Sequence, residues 1–286
     1  MRMPASPRRP PIVAALAVAL AACGGVGDAA PTVSAAELVH VHGLAENPDA
    51  EGIYVATHTG LFEVRGDAIT RVTERYHDLM GFTVVGPGDY LASGHPELQA
   101  EHLQAPGKPP LLGLVASSDG VEWEPVSLLG ETDFHTLEAK HDRVYGYDAT
   151  NGAFLISEDR TNWDTMSDVA LIDFSVSPDD PELIVGTGQA GVARSDDAGA
   201  TWSPLDAPPY VLLDWSVDGL FGVTVDGRVG VSTDAGGTWD EVGAVDGQPE
   251  AILAGHDRLL VAVAARGVLE STDGGETFDI LIATDG

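Results

Sequence analysis

Ser232-Thr233-Asp234-Ala235-Gly236-Gly237-Thr238-Trp239 reads as Ser-x-Asp-x-Gly-x-Thr-Trp, a short polar turn between two β-type runs. A carboxylate at Asp234 can accept hydrogen bonds from nearby backbone N–H groups, and Gly236 supplies φ angles that other residues resist. Trp239 then opens the returning strand and can cover the hairpin with an apolar face. The octet recurs. Ser195, Asp197, Gly199, Thr201 and Trp202 repeat it without a mismatch, and Ser271, Asp273, Gly275, Thr277 and Phe278 repeat it with Phe for Trp. Shortened copies stand at Ser117, Asp119 and Trp123 and at Ser157, Asp159 and Trp163. The turn aspartates fall at 119, 159, 197, 234 and 273, a steady period near forty residues. With strand-like runs between the turns, such a period is the signature of a radial or solenoid array.

This pattern resembles the Asp-box (BNR) repeat of sialidases, sortilin-type receptors and photosystem-assembly propellers. The resemblance implies turns at the outer, lower rim, away from any ligand. Ser195, Asp197, Gly199 and Trp202, Ser232, Asp234, Gly236 and Trp239, and Ser271, Asp273, Gly275 and Phe278 are then structural. It implies little about activity, since one fold hosts many functions. Short apolar runs such as Leu183-Ile-Val185 and Leu259-Leu-Val-Ala-Val263, broken by glycine, supply four strands per repeat. Repeats at about 38–75, 76–127, 128–167, 168–205, 206–244 and 245–286 predict an all-β fold. The expected architecture is a six-bladed β-propeller of four-stranded antiparallel blades, one domain over 38–286. In the first repeat Arg65-Gly66-Asp67 stands where an octet would and reads as a turn; the second carries an insertion, His95 to Pro110, expected as a surface loop. No spare strand is visible at either end, which points to closure by packing between complete blades.

The N-terminus carries a different signal. Arg2, Arg8 and Arg9 precede the apolar run Ile12 to Leu20 and then Leu20-Ala-Ala-Cys23. Residues 1–22 read as an export signal, too short for a permanent membrane helix. The ending resembles a bacterial lipobox, which implies cleavage before Cys23, lipidation of its sulfur and a membrane-anchored, exported lipoprotein. Cys23 is the single cysteine, so no intrachain disulfide can form. Residues 23–37 are small and polar, a tether. The full chain has 14 basic and 45 acidic residues, a formal charge of −31, and losing three arginines with the signal makes it more acidic still. That surface disfavours nucleic acid and anionic lipid headgroups as partners. A monomer is expected, joined to the membrane through Cys23.

Candidate chemistry lies in what the octets leave unexplained. Aligning the innermost strands sets His40 and His42 beside Asp78 and Met80 of the second repeat, and Asp133 and His135 of the third. Residues i and i+2 of a strand share a face. The fourth and fifth repeats offer the apolar Ile172 and Phe174, then Val211 and Leu213. A second ring follows from the ends of the next strands, His58, His95 and the Tyr147-Asp148 pair, and His77 and His102 can join from their loops. His40, His42, His58, Asp78, Met80, His95, Asp133 and His135 thus converge on one channel mouth, opposite the octets. Imidazoles with carboxylates suit copper or zinc, and Met80 biases the choice toward copper. An organic ligand, small molecule or glycan, and a structural cluster satisfied by backbone carbonyls are the other readings. Two function classes follow. One is a surface-anchored binding or assembly module. The other is a glycoside hydrolase, implied by the sialidase resemblance, with Asp78, Asp133, Asp148 and Glu138 as candidate carboxylates. A sialidase grips its substrate with three arginines, whereas the arginines here fall mostly at turns or beside octets. The residues favour the binding module.

Overall fold

In the computed structural model, residues 32–284 and Met1 are described. The export signal, Cys23 and the first part of the tether lie outside the described residues. Six four-stranded antiparallel sheets follow one another along the chain, each with its strands in sequence order. Blade 1 comprises Val41–Glu46, Ile53–Thr57, Gly60–Arg65 and Ala68–Arg71, and blade 6 comprises Pro249–Gly255, Arg258–Val263, Gly267–Ser271 and Asp279–Ala283. The innermost strands of the other blades are Asp78–Gly86, Phe134–Lys140, Asp173–Val176 and Tyr210–Ser216. Each innermost strand neighbours the next around the ring, and blade 6 neighbours blade 1. The protein is a six-bladed β-propeller.

Its hydrophobic core is divided among the interfaces. Among the described residues there are six buried clusters, one for each pair of adjacent blades. Blades 1 and 2 share Tyr54, Leu61, Phe82 and Trp123, while blades 3 and 4 share Tyr145, Phe154, Phe174 and Ile184. Two faces of each sheet are buried, so central strands such as Ile53–Thr57 and Gly219–Thr224 are buried throughout and do not alternate. Closure follows the expected route. Among the described residues no strand is exchanged, and Val41, Leu44 and Val55 pack on Leu260, Ala262 and Val268. Arg258 of blade 6 pairs with Glu46 of blade 1 across the seam.

The octets form one repeated turn. In the copy at 232–239, Ser232 Oγ donates to Asp234 Oδ1 at 2.9 Å and accepts from Gly236 N at 2.8 Å. Asp234 then accepts from Thr238 N and Thr238 Oγ1, both at 2.8 Å. The copies at 195 and 271 make the same bonds. The aromatic residue reaches the preceding blade. Trp202 Nε1 donates to Ser167 Oγ at 3.1 Å and its ring meets Phe154 edge-on at 5.7 Å. Gly199 shows why glycine is needed. Its φ is +84°, and a Cβ there would sit 2.4 Å from the Phe154 ring.

Two segments are more structured than the sequence suggests. The insertion after His95 folds back, with a 3-10 turn at Glu101–Leu103, and buries Ala100, Leu103 and Leu112 against blades 1 and 2. It is therefore part of the core as well as a loop. The last residues of the expected tether also belong to the folded unit. Thr32 bridges to Thr70, Val33 N donates to Ile69 O, and Ala35 is buried at the blade 6–blade 1 seam.

Candidate functional site

One backbone irregularity aims side chains into the channel. Near its start, the innermost strand of five blades carries a β-bulge, in which one residue has no partner on the second strand. The bulged residues are His42, Met80, His135, Val211 and Glu250. A bulge re-aims the extra side chain. His42, Met80, His135 and Glu250 line a central channel of about 600 Å³. In blades 1 to 3 the residues two places earlier are His40, Asp78 and Asp133.

These elements bring imidazoles around two carboxylates. His42 Nε2 lies 3.2 Å from Asp78 Oδ1, and His58 Nδ1 lies 3.1 Å from Asp78 Oδ2. His95 pairs in register with Asp78, and its Nδ1 is 3.2 Å from Asp78 Oδ2. The same ring turns Nε2 toward Asp133 Oδ2 at 3.7 Å, which His135 Nε2 also approaches at 3.0 Å. His40, exposed and in the left-handed region at φ 56°, stands with its ring 5.4 Å from that of His42. The close register needs Gly94, with φ +128°, because a Cβ there would lie 2.1 Å from the Asp78 carbonyl oxygen.

The cluster is incompletely satisfied. Among the described residues, His42 Nε2, Asp78 Oδ1 and Asp133 Oδ1 are buried without a hydrogen-bond partner, although the first two are within 3.2 Å of each other. Buried polar atoms are normally paired. Burial alone would raise the Asp78 carboxyl, but His42, His58 and His95 outweigh it and hold it below the usual range. The hydrogen bond to Asp133 raises His135 above the ordinary imidazole value.

Other expected members stand apart. Asp148 is buried, but Oδ1 accepts from Thr150 N at 2.9 Å and Oδ2 from Asn151 Nδ2 at 2.6 Å. It ties down a hairpin turn and supports Asp133 N from behind at 3.4 Å. Asp148 pairs in register with Phe134, one residue short of the position that His95 occupies, and so its side chain turns away. Met80 lines the channel at its bulge and is not among the close contacts of the cluster. His77 accepts from Glu97 N at 3.1 Å and burial lowers it, while His102 contacts Trp123 O at 3.1 Å. A second trio, Asp218, His256 and Asp257, is exposed on hairpin turns at the opposite end of the strands.

Sequence reading offered Glu138 as a candidate carboxylate but missed Asp173, Asp214 and Glu250, which line the same channel. Glu138 Oε2 of blade 3 accepts from Val176 N of blade 4 at 2.7 Å. Asp173 Oδ2 of blade 4 accepts from Leu213 N of blade 5 at 2.8 Å, and Asp214 Oδ2 of blade 5 from Ala254 N of blade 6 at 2.7 Å. Glu250 Oε2 of blade 6 accepts from Val41 N of blade 1 at 3.2 Å. Lys140 Nζ joins them, donating to Glu138 Oε1, Val176 O and Trp215 O at 3.1, 2.8 and 3.0 Å. Enclosure by protein pushes Asp173 up to about 7 and raises Asp214. The available signal was the shared Asp173-Phe-Ser-Val and Asp214-Trp-Ser-Val motif, an acid set inside an apolar strand.

No protein-family model matches this chain, and no curated protein matches it in sequence. Solved structures match it in shape. It superposes on YCF48 bound to a D1 peptide with TM-score 0.54 at 15% identity, covering 87% of this chain and 81% of that one. A chain of a nidogen/laminin complex gives TM-score 0.60 at 12% identity over 77% of this chain and 88% of that one. The GH74 xyloglucanase of Xanthomonas campestris gives 0.57 at 14% identity, over 84% of this chain and 45% of the enzyme. At such identities the likeness is one of fold.

Proposed function

We propose that this chain is an exported, lipid-anchored propeller of the Asp-box type that binds a transition metal, copper or zinc, at the channel mouth of blades 1 to 3. It acts there as a surface binding or assembly module. The observation that carries the reading is the unpaired, buried contact of His42 Nε2 with Asp78 Oδ1 at 3.2 Å, flanked by His58. Two ligands sharing one ion at about 2.0–2.1 Å stand about 3.0–3.4 Å apart, so this spacing needs no rearrangement. The test is elemental analysis of the mature chain purified without a His-tag and exposed to zinc and copper. Near-stoichiometric metal that disappears in the His42→Ala, His135→Ala double variant is expected. A metal-free protein after that exposure overturns the reading. Export and anchoring predict that Cys23→Ala releases the protein from the membrane fraction.

The glycoside hydrolase reading has less support. Glu138, Asp173 and Asp214 each give an oxygen to a backbone N–H, and among the described residues no arginine lines the channel. Turnover of an aryl-glycoside or sialoside, lost in Asp133→Asn, would restore it.

A further inference from the structure

We infer that the cluster is two metal seats, repeated from one blade interface to the next. This rests on the metal-binding reading above and adds a stoichiometry and a division of ligands. The first seat is His42, His58 and Asp78, at the junction of blades 1 and 2. Stepping one blade around the ring carries His58 onto His95 and Asp78 onto Asp133. The registers fix this equivalence: His58 N donates to His40 O, His95 pairs with Asp78, and Ala149 N donates to Asp133 O. The second seat, at the junction of blades 2 and 3, is therefore His95 and Asp133, joined by His135 at 3.0 Å from Asp133 Oδ2. Its own bulge position, equivalent to His42, is Met80.

Burial supplies the independent sign of a ligand. The Asp133 side chain is only 8% exposed, yet its Oδ1 has no hydrogen-bond partner. An orphaned oxygen at that depth costs free energy unless something binds it. His95 then links the seats. A neutral imidazole has one N–H donor and one lone pair. If Nδ1–H donates to Asp78 Oδ2 at 3.2 Å, the lone pair on Nε2 is left facing Asp133. A carboxylate that fixes the tautomer of a ligating histidine is the usual outer support of a metal site. Asp78 thus ligates in one seat and orients His95 in the other.

The experiment is zinc titration of the full chain in detergent, followed by dialysis and elemental analysis, with folding checked by far-UV circular dichroism. Wild type is expected to retain about two equivalents, His42→Ala and His135→Ala about one each, and the double variant none. Both histidines can be removed without emptying the hydrophobic core, since neither belongs to a buried apolar cluster. Asp78→Asn is expected to weaken both seats. A single equivalent in wild type, abolished by His42→Ala and untouched by His135→Ala, overturns the second seat and leaves metal binding itself standing. A second equivalent lost in His256→Ala, at the exposed trio, also overturns it. Zero metal in wild type removes both readings together.

Discussion

The mouth of blades 1 to 3 and the channel wall of blades 3 to 6 use the same side chain to opposite ends. Along the wall, Glu138, Asp173, Asp214 and Glu250 each accept a backbone N–H from the following blade. They are clasps that stitch the innermost strands. At the mouth, Asp78 and Asp133 also stand at blade junctions, but imidazoles face them and one oxygen of each stays unpaired. The bulge makes part of the difference. It carries an imidazole in blades 1 and 3, a valine in blade 5 and a clasping glutamate in blade 6. A carboxylate in this propeller is structural when its lone pairs meet backbone donors, and is available for chemistry when they meet side chains that can also bind an ion.

The largest expected effect tests that division. Asp78→Ala should weaken zinc binding by at least about 100-fold in calorimetric titration, while Asp173→Ala leaves it unchanged. Equal losses would erase the distinction between mouth and wall. Next, Glu138→Ala strands Val176 N and Ser175 Oγ in a buried setting, takes the carboxylate from Lys140 Nζ, and should cost about 2 kcal/mol by urea unfolding. His58→Ala, whose side chain is 61% exposed, should stay within about 0.5 kcal/mol.

Smaller, and opposite in sign at the two ends of the strands, is the dependence on pH. Burial pushes Asp173 from 3.8 up to about 7. Its contribution to stability is complete below about pH 3.8 and is lost as pH rises through about 7. Asp173→Asn should flatten the urea midpoint over that window. The octet carboxylates behave in reverse. Hydrogen bonds from Thr238 hold Asp234 below the usual range, so its contribution is present above 3.8 and lost as pH falls through its depressed value. Asp234→Asn should flatten only the acid limb. The smallest effect is expected at the exposed Asp218–His256–Asp257 trio, where His256→Ala should change neither thermal stability nor bound metal.

Legibility from sequence differed by element. The octets were readable because a turn is a local object: Ser232, Asp234, Gly236 and Thr238 bond within eight residues. Aligning repeats sets His42, Asp78, His95, Asp133 and His135 side by side, and each lies within 3.7 Å of a neighbour in the cluster, because each of these blades obeys one register. Asp148 was placed one residue off, since hairpin register decides whether a side chain faces the mouth or its own turn. Asp173 and Asp214 escape a sequence reading because their partners are backbone groups of a neighbouring blade, which the shared Asp-Phe/Trp-Ser-Val pattern does not name.

The sequence by itself determined the number of blades, the four strands of each and the turns that close them, because these follow from a period and from contacts a few residues apart. Only the tertiary structure decided which carboxylates are clasps and which are left open. That distinction depends on groups brought together across blade junctions, some forty residues or more apart in the chain, and on a bulge that shifts one side chain per strand into the channel.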